Sequence, residues 1–261
     1  MPEKTSDQSD RSHRIYSTEQ VYHSETISHL PPEHAVKHED VMLKIRLDLV
    51  ERYLSLGGFV LDLCCGNGQH IINLPGAARG IGLDFSLPFL KKGNELKRGA
   101  QNDRAAFLCA DASQVPLEDD SFDLVYSFTS LYQVPHVDQV ILDVARILKP
   151  GGACILELGN RNSLNKFVCD AYPEYPEPQL ITLAQMKHFV RQANMKVIEH
   201  RSFQILPLWS NRPKWLGPLL WPGWKMILAK QVGGRMLDEW ISSLPLLRQL
   251  AFRHILVCSK I

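Results

Sequence analysis

The chain has 261 residues, 45% hydrophobic and 22% charged, a balance that suits one α/β domain with additions. Its 29 Lys and Arg against 28 Asp and Glu leave a formal net charge of +1, which argues against nucleic acid as the main partner. Cys64, Cys65, Cys109, Cys154, Cys169 and Cys258 form no C-x-x-C pair and repeat no zinc spacing, so reduced thiols and no metal are expected.

Residues 1–14 are polar and contain no apolar stretch. They are expected to be a disordered tail and not a signal or anchor, consistent with a cytoplasmic protein. His34 and His38 lie four apart on a predicted helix, but no third metal ligand can be named, so surface histidines are expected. From about residue 57 short apolar runs alternate with helical periods. Strands are predicted over 59–65, 80–84, 105–110, 122–127 and 153–158, the last behind the turn Lys149-Pro150-Gly151-Gly152. Ser86 is placed to cap the helix after the second strand. Between the fourth and fifth strands, Val137, Val140, Ile141, Val144, Ile147 and Leu148 make a buried helical stripe that Pro150 ends. Thr182 and Gln185 form a capping box for a later helix with Met186, Phe189, Val190 and Ala193 inward. Strands over 196–204 and 254–259 follow. This alternation predicts a doubly wound, mostly parallel sheet with helices on both faces, whose ligands sit beyond the carboxyl ends of the strands.

The turn after the first strand carries the most information. It reads Val60-Leu-Asp-Leu-Cys-Cys-Gly-Asn-Gly-Gln-His70. Gly66 and Gly68 allow a ligand close to the backbone. A dinucleotide site wants a small third residue, and Ile71 stands there, which disfavours a nicotinamide-dependent dehydrogenase. With Asp62, Cys64, Cys65, Gly66, Asn67 and Gly68, the stretch resembles the first motif of class I S-adenosylmethionine-dependent methyltransferases. It departs from that motif in having Cys64 where the first glycine usually stands. The nearest pattern is that of the type 11 group, which includes ubiquinone- and menaquinone-biosynthesis enzymes.

The resemblance extends over about residues 40–160. It implies that Asp84, 22 residues after Asp62, accepts the ribose hydroxyls and that Phe85 packs on adenine. It implies further that Asp111 and Ala112 read the adenine edge. The segments 116–127, ending in Ser127, and 145–152 match the family's downstream signature. The implied fold is a Rossmann-like seven-stranded sheet with the last strand antiparallel. The implied cofactor is S-adenosyl-L-methionine, with S-adenosyl-L-homocysteine as product. Residues 15–56, with Tyr16, Tyr22 and His23, would then form an N-terminal helical lid, and 57–204 with 251–261 the cofactor-binding core.

His136 and Tyr132 are the candidate catalytic residues, with His136 as the base for a hydroxyl acceptor. The alternatives are a solvated loop histidine and a ring packed under the loop. Glu157 could hold an acceptor hydroxyl or amine, or be satisfied by local backbone. All five tryptophans, 209, 215, 221, 224 and 240, fall in the proline-broken stretch 205–250. That stretch carries Arg212, Lys214, Lys225, Lys230, Arg235 and Arg248 against Asp238 and Glu239. It is read as a structural insertion, a cap over the acceptor, or a membrane contact through 209–224, too short and broken to span a bilayer. The expected function is methyl transfer to oxygen, or to nitrogen or carbon, of a small, partly hydrophobic metabolite or natural product. Alternatives are a non-catalytic cofactor-binding module and a membrane-surface methyltransferase of a lipid-like substrate.

Overall fold

The computed structural model describes residues 36–55, 57–74, 78–172, 178–208 and 210–261. The tail 1–14, residues 15–35 of the expected lid with Tyr16, Tyr22, His23 and His34, and Trp209 lie outside the described residues.

A long helix, α1 (Val36–Tyr53), leads into β1 (Phe59–Leu63). The expected strand was two residues longer. It stops at Leu63 because Cys64 turns the chain into the left-handed region at φ 61. Then follow α2 (Gln69–Ile72), β2 (Arg79–Asp84), α3 (Leu87–Gly99), β3 (Ala105–Cys109), β4 (Phe122–Ser127), α4 (Val137–Ile147) and β5 (Leu148–Gly159). β5 starts earlier than expected. Leu148 already pairs with Phe122, and the Lys149–Gly152 turn residues are absorbed as a register shift before Leu124 pairs with Ala153. The chain continues through α5 (Asn165–Asp170), α6 (Leu183–Gln192) and β6 (Met195–Phe203). After β6 come a 3₁₀ turn at Lys214–Leu220, α7 (Trp224–Leu228), a hairpin of β7 (Gln231–Val232) and β8 (Arg235–Met236), and α8 (Leu237–Ser242). The last strand is β9 (Arg253–Lys260).

The main sheet has seven strands in the order β3-β2-β1-β4-β5-β9-β6. β1 through β5 pair in parallel, and β9 runs antiparallel between β5 and β6. This is the doubly wound α/β architecture that the alternation of elements predicted. β9 is central, so its apolar run Ile255-Leu-Val-Cys258 is buried on both faces.

Two cores lie on opposite faces. One packs Val140, Ile141 and Val144 of α4 and Met186 and Val190 of α6 on Leu61, Leu156 and Leu256. The other packs Met42, Ile45 and Leu49 of α1 on Val60, Leu124 and Ile155, with Ala229 and Met236 of the late segment. The stripe on α4 is therefore inward as predicted. Thr182 accepts from the Gln185 amide and Gln185 answers the Thr182 N–H, forming the expected capping box. Ser86 does hold the N-cap position of α3, but its hydroxyl makes no cap bond. Its N–H donates to Asp84 Oδ1 instead, and Leu87 and Pro88 begin the helix.

His38 is not a surface residue. It is buried, with Nε2 3.0 Å from Asp238 Oδ2, and ties α1 to α8. The same Asp238 accepts the Gln204 and Ile205 amides, and buried Glu239 holds Arg201 and Arg235. The six cysteines are unpaired, and they are not all core: Cys109 is exposed.

Candidate functional site

In an order of β3-β2-β1-β4-β5, chain direction reverses its progress between β1 and β4, and a crevice opens at their carboxyl ends. The Cys64–Gly68 turn sits at that point. It is built by backbone bonds: Cys65 N–H donates to Leu83 O at 3.0 Å and Gly68 N–H to Cys65 O at 2.9 Å. The two glycines, both at positive φ, do different jobs. A Cβ on Gly68 would fall 2.2 Å from the Phe107 ring, so this glycine is demanded by packing. A Cβ on Gly66, at φ +55, would meet nothing within 4 Å. Gly66 therefore presents bare backbone to open space, the cradle that a ligand requires. Ile71, too large for a dinucleotide turn, fits because β2 carries Gly80 beneath it. A Cβ there would lie 2.4 Å from Ile71 Cδ1.

Three carboxyl groups surround the turn. Asp84 Oδ2 accepts the Gly66 N–H at 2.7 Å, and Oδ1 accepts the Ser86 N–H at 2.8 Å. Asp111 Oδ1 accepts the Ser113 N–H at 2.8 Å, beside buried Ala112. Asp62 is 2% exposed, yet its Oδ2 has no hydrogen-bond partner among the described residues. Burial drives the Asp62 carboxyl well above its usual range, the neighbouring Tyr126 hydroxyl pulls it partly back, and the Asp84 charge adds to the rise. The Cys64 thiol is pushed well up, first by burial and then by the charges of Asp84, Asp62 and Asp111. Cys65 is pushed up by burial and the same Asp62 and Asp84. Phe85 is half-buried directly after Asp84, with its carbonyl 3.5 Å from Cys109 Sγ. Ser127 ends β4 with its hydroxyl buried and unbonded among the described residues. Asn67 lies against Gly93 of α3, where a Cβ would sit 2.8 Å from the Asn67 carbonyl.

This acid-rimmed crevice suits a positively charged ligand. A buried carboxyl without a partner costs free energy until a cation or donor reaches it. A sulfonium and an ammonium would satisfy it, whereas a pyrophosphate would be repelled. The residues present fit S-adenosylmethionine on these grounds.

The catalytic candidates lie apart. His136 is the N-cap of α4, held at φ 53 and exposed, and it lines a cavity of about 640 Å³ with Ser113, Gln114 and Asp138. Tyr132 sits against Gly159 at the end of β5, its ring 5.7 Å from Phe252. Burial raises its hydroxyl to about 12. Glu157 is satisfied, but not by local backbone. Arg46 of α1 grips it with two bonds of 2.8 and 3.0 Å, and Arg253 stands 3.5 Å away. Glu39 joins both arginines, whose charges outweigh its burial and hold it down at about 2.

The sequence reading missed Arg46, Arg253, Glu39 and His70. Glu39 and Arg46, seven apart on one predicted helix, share a face, which is the one signal that was available. His70 meets Phe128 edge-on at 5.8 Å, and Arg46 stands 5.9 Å from the centre of the same ring. Burial, aided by the Arg46 charge, lowers the imidazole to about 4, so His70 is neutral.

Residues 61–156 match the family model described as methyltransferase domain. The sterol 4-C-methyltransferase strm-1 of Caenorhabditis elegans is 27% identical over 187 residues, covering 67% of this chain and 56% of the relative. The demethylmenaquinone methyltransferase of Bacillus cereus is 35% identical over 103 residues, covering 38% of this chain and 44% of the relative. The chain thus spans about half the length of the curated relatives it matches. Among solved structures, geranyl diphosphate C-methyltransferase from Streptomyces coelicolor superposes with a TM-score of 0.59 at 15% identity. That match covers 88% of this chain and 86% of that one, and it shows the shared fold.

Proposed function

We propose that this chain, whose 61–156 segment belongs to the methyltransferase-domain family, moves a methyl group from S-adenosyl-L-methionine to a small, partly hydrophobic metabolite or natural product. The observation that carries the reading is the buried Asp62 carboxyl, without a cation among the described residues, at the strand end that leads into the open Gly66 backbone, which Asp84 holds at 2.7 Å.

In this reading the cofactor brings an already electrophilic methyl group, and S-adenosyl-L-homocysteine is left behind. Asp84 receives the ribose hydroxyls, Phe85 and Ala112 flank the adenine, and Asp111 accepts from its amino group. The 64–68 turn and Asp62 hold the cationic end, and Ser127 at the end of β4 has its buried hydroxyl beside the Cys64 thiol. Holding donor and acceptor in line supplies the larger part of the rate, on the order of 7–11 kcal/mol in well-oriented systems.

The acceptor atom is read as oxygen, because His136 is exposed on a cavity it shares with Ser113 and Gln114 and is the imidazole available to take a hydroxyl proton. Tyr132, raised to about 12, stays a phenol at neutral pH and serves as a hydrogen-bond donor that orients the acceptor. Carbon is the second choice, because two of the relatives are carbon methyltransferases by name. The core is 57–204 with 251–261. The segment 205–250 caps the acceptor, anchored by Asp238 on His38 and by Glu239 on Arg201.

The test is transfer of labelled methyl from S-adenosylmethionine to a panel of hydroxylated, amino and isoprenoid acceptors, with the product's methylated atom identified by mass spectrometry. His136→Ala should lower turnover by about 10²-fold while leaving cofactor affinity unchanged. Wild-type turnover in that variant would remove the base. Binding of S-adenosylmethionine without transfer to any acceptor would leave a cofactor-binding module.

A further inference from the structure

The 205–250 segment keeps its acids and its bases in different places. Asp238 and Glu239, its only carboxylates, are fully buried and bonded. Arg212, Lys214 and Lys230 are exposed. The charge that this segment shows to solvent is therefore positive.

Large apolar side chains are exposed beside those cations. Trp215, Trp221 and Met226 are 66%, 56% and 61% exposed, within twelve residues of chain. Phe167 of α5, itself exposed, meets Trp215 edge-on at 5.3 Å, and Trp221 meets Trp224 at 5.9 Å. The rings therefore stand in two contacting pairs on α5 and the 215–224 stretch, an apolar patch and not isolated surface residues. Leu216 and Leu220 fasten this patch to Val168 of α5. A groove of about 710 Å³ runs along it, lined by Pro218, Leu220, Trp221 and Trp224. α5 follows the carboxyl end of β5, so the patch lies at the same end of the sheet as the Gly66 crevice.

We propose that this patch is a docking surface for an anionic phospholipid bilayer, with Trp215, Trp221 and Met226 seated among the acyl chains and Lys214 and Lys230 against the headgroups. Charge complementarity selects this occupant over a second copy of the chain, since two such patches facing each other would oppose like charges. Indole rings favour the boundary between headgroups and acyl chains, and basic side chains add attraction to anionic lipid. No helix among the described residues is long and apolar enough to cross a membrane, so docking is at the surface. Docked this way, the strand ends face the bilayer, and a lipid-dissolved acceptor reaches them without crossing water.

The experiment is sedimentation of the full chain with phosphatidylcholine vesicles, with and without phosphatidylserine, together with tryptophan emission. The expected result is partitioning onto the anionic vesicles with a blue shift, weakening as salt is raised. The combined variant Trp215→Ala, Trp221→Ala, Met226→Ala should lose about tenfold or more in partitioning. Lys214→Glu with Lys230→Glu should lose a similar factor and most of the salt dependence. These side chains are exposed, so the variants should fold, and circular dichroism checks that they do. Absent partitioning at low salt, equal partitioning onto neutral vesicles, or concentration-dependent self-association that the tryptophan variant abolishes would each overturn the proposal. Vesicle binding is read without turnover, so any of these outcomes leaves the methyl-transfer reading standing.

Discussion

Asp62 lies one residue before the end of β1 and Glu157 near the end of β5, two parallel strands separated by β4, and both carboxyl groups are buried. Their surroundings are opposite. Glu157 is closed by Arg46 with two short bonds, backed by Arg253. Asp62 has no cation among the described residues: its Oδ2 lacks a hydrogen bond of normal geometry, as does the neighbouring Tyr126 hydroxyl, and the charge that acts on it is another acid, Asp84. A buried carboxylate with its arginine in place is a tie between elements, here between α1 and the sheet. A buried carboxyl without one stores an unmet demand that a cation can fill. Burial alone does not separate a structural acid from a binding acid, but partnership does.

The comparison breaks first at Arg46. Arg46→Ala strands a buried Glu157 and should destabilise the chain by about 3–5 kcal/mol in denaturant unfolding. A loss below about 1 kcal/mol would show that Glu157 does not depend on this pair. Next comes Asp84, which joins the two roles by holding Gly66 and facing the crevice. Asp84→Ala should weaken binding of S-adenosylhomocysteine by roughly 1.5–3 kcal/mol in calorimetry, and unchanged affinity would remove it from the site.

Asp62→Asn sharpens the contrast with the smallest change. It should cost cofactor affinity, about 1 kcal/mol, while leaving stability equal or higher. The sign follows from linkage. Asp62 is raised in the folded chain, so its contribution to stability is present at low pH and is lost as pH rises above the ordinary carboxyl range. The variant's advantage in melting temperature should therefore grow with pH. Cofactor affinity of the wild type should rise with pH as Asp62 ionises, and that of the variant should stay flat. A variant less stable than wild type at every pH would mean that Asp62 is a structural acid after all.

What was legible in the sequence follows from distance along the chain. The Asp62–Gly68 turn, the α4 stripe and the Thr182–Gln185 cap are local patterns, and the spacing of a few residues specifies them. The doubly wound, mostly parallel sheet followed from the alternation of elements, and the antiparallel last strand from the family resemblance. The Arg46–Glu157 pair spans 111 residues, and neither partner breaks any local pattern, so Glu157 was noticed and its partner was not. His200 and His254, bonded at 3.0 Å across β6 and β9, were invisible for the same reason, although burial lowers them to about 4 and about 3. The Asp238 tie to His38 spans 200 residues, and it turned an expected surface histidine into a buried one. End residues of strands shifted where single left-handed residues, Cys64 and Gln204, cut them, a choice that composition does not announce.

One measurement bears on the central claim most directly: titration calorimetry of S-adenosylmethionine and S-adenosylhomocysteine into the folded wild type and into Asp62→Asn. The account predicts saturable one-site binding of both ligands to the wild type, with the charged donor losing more affinity than its neutral-sulfur product when Asp62 becomes Asn. Folded protein that takes up neither ligand would contradict it.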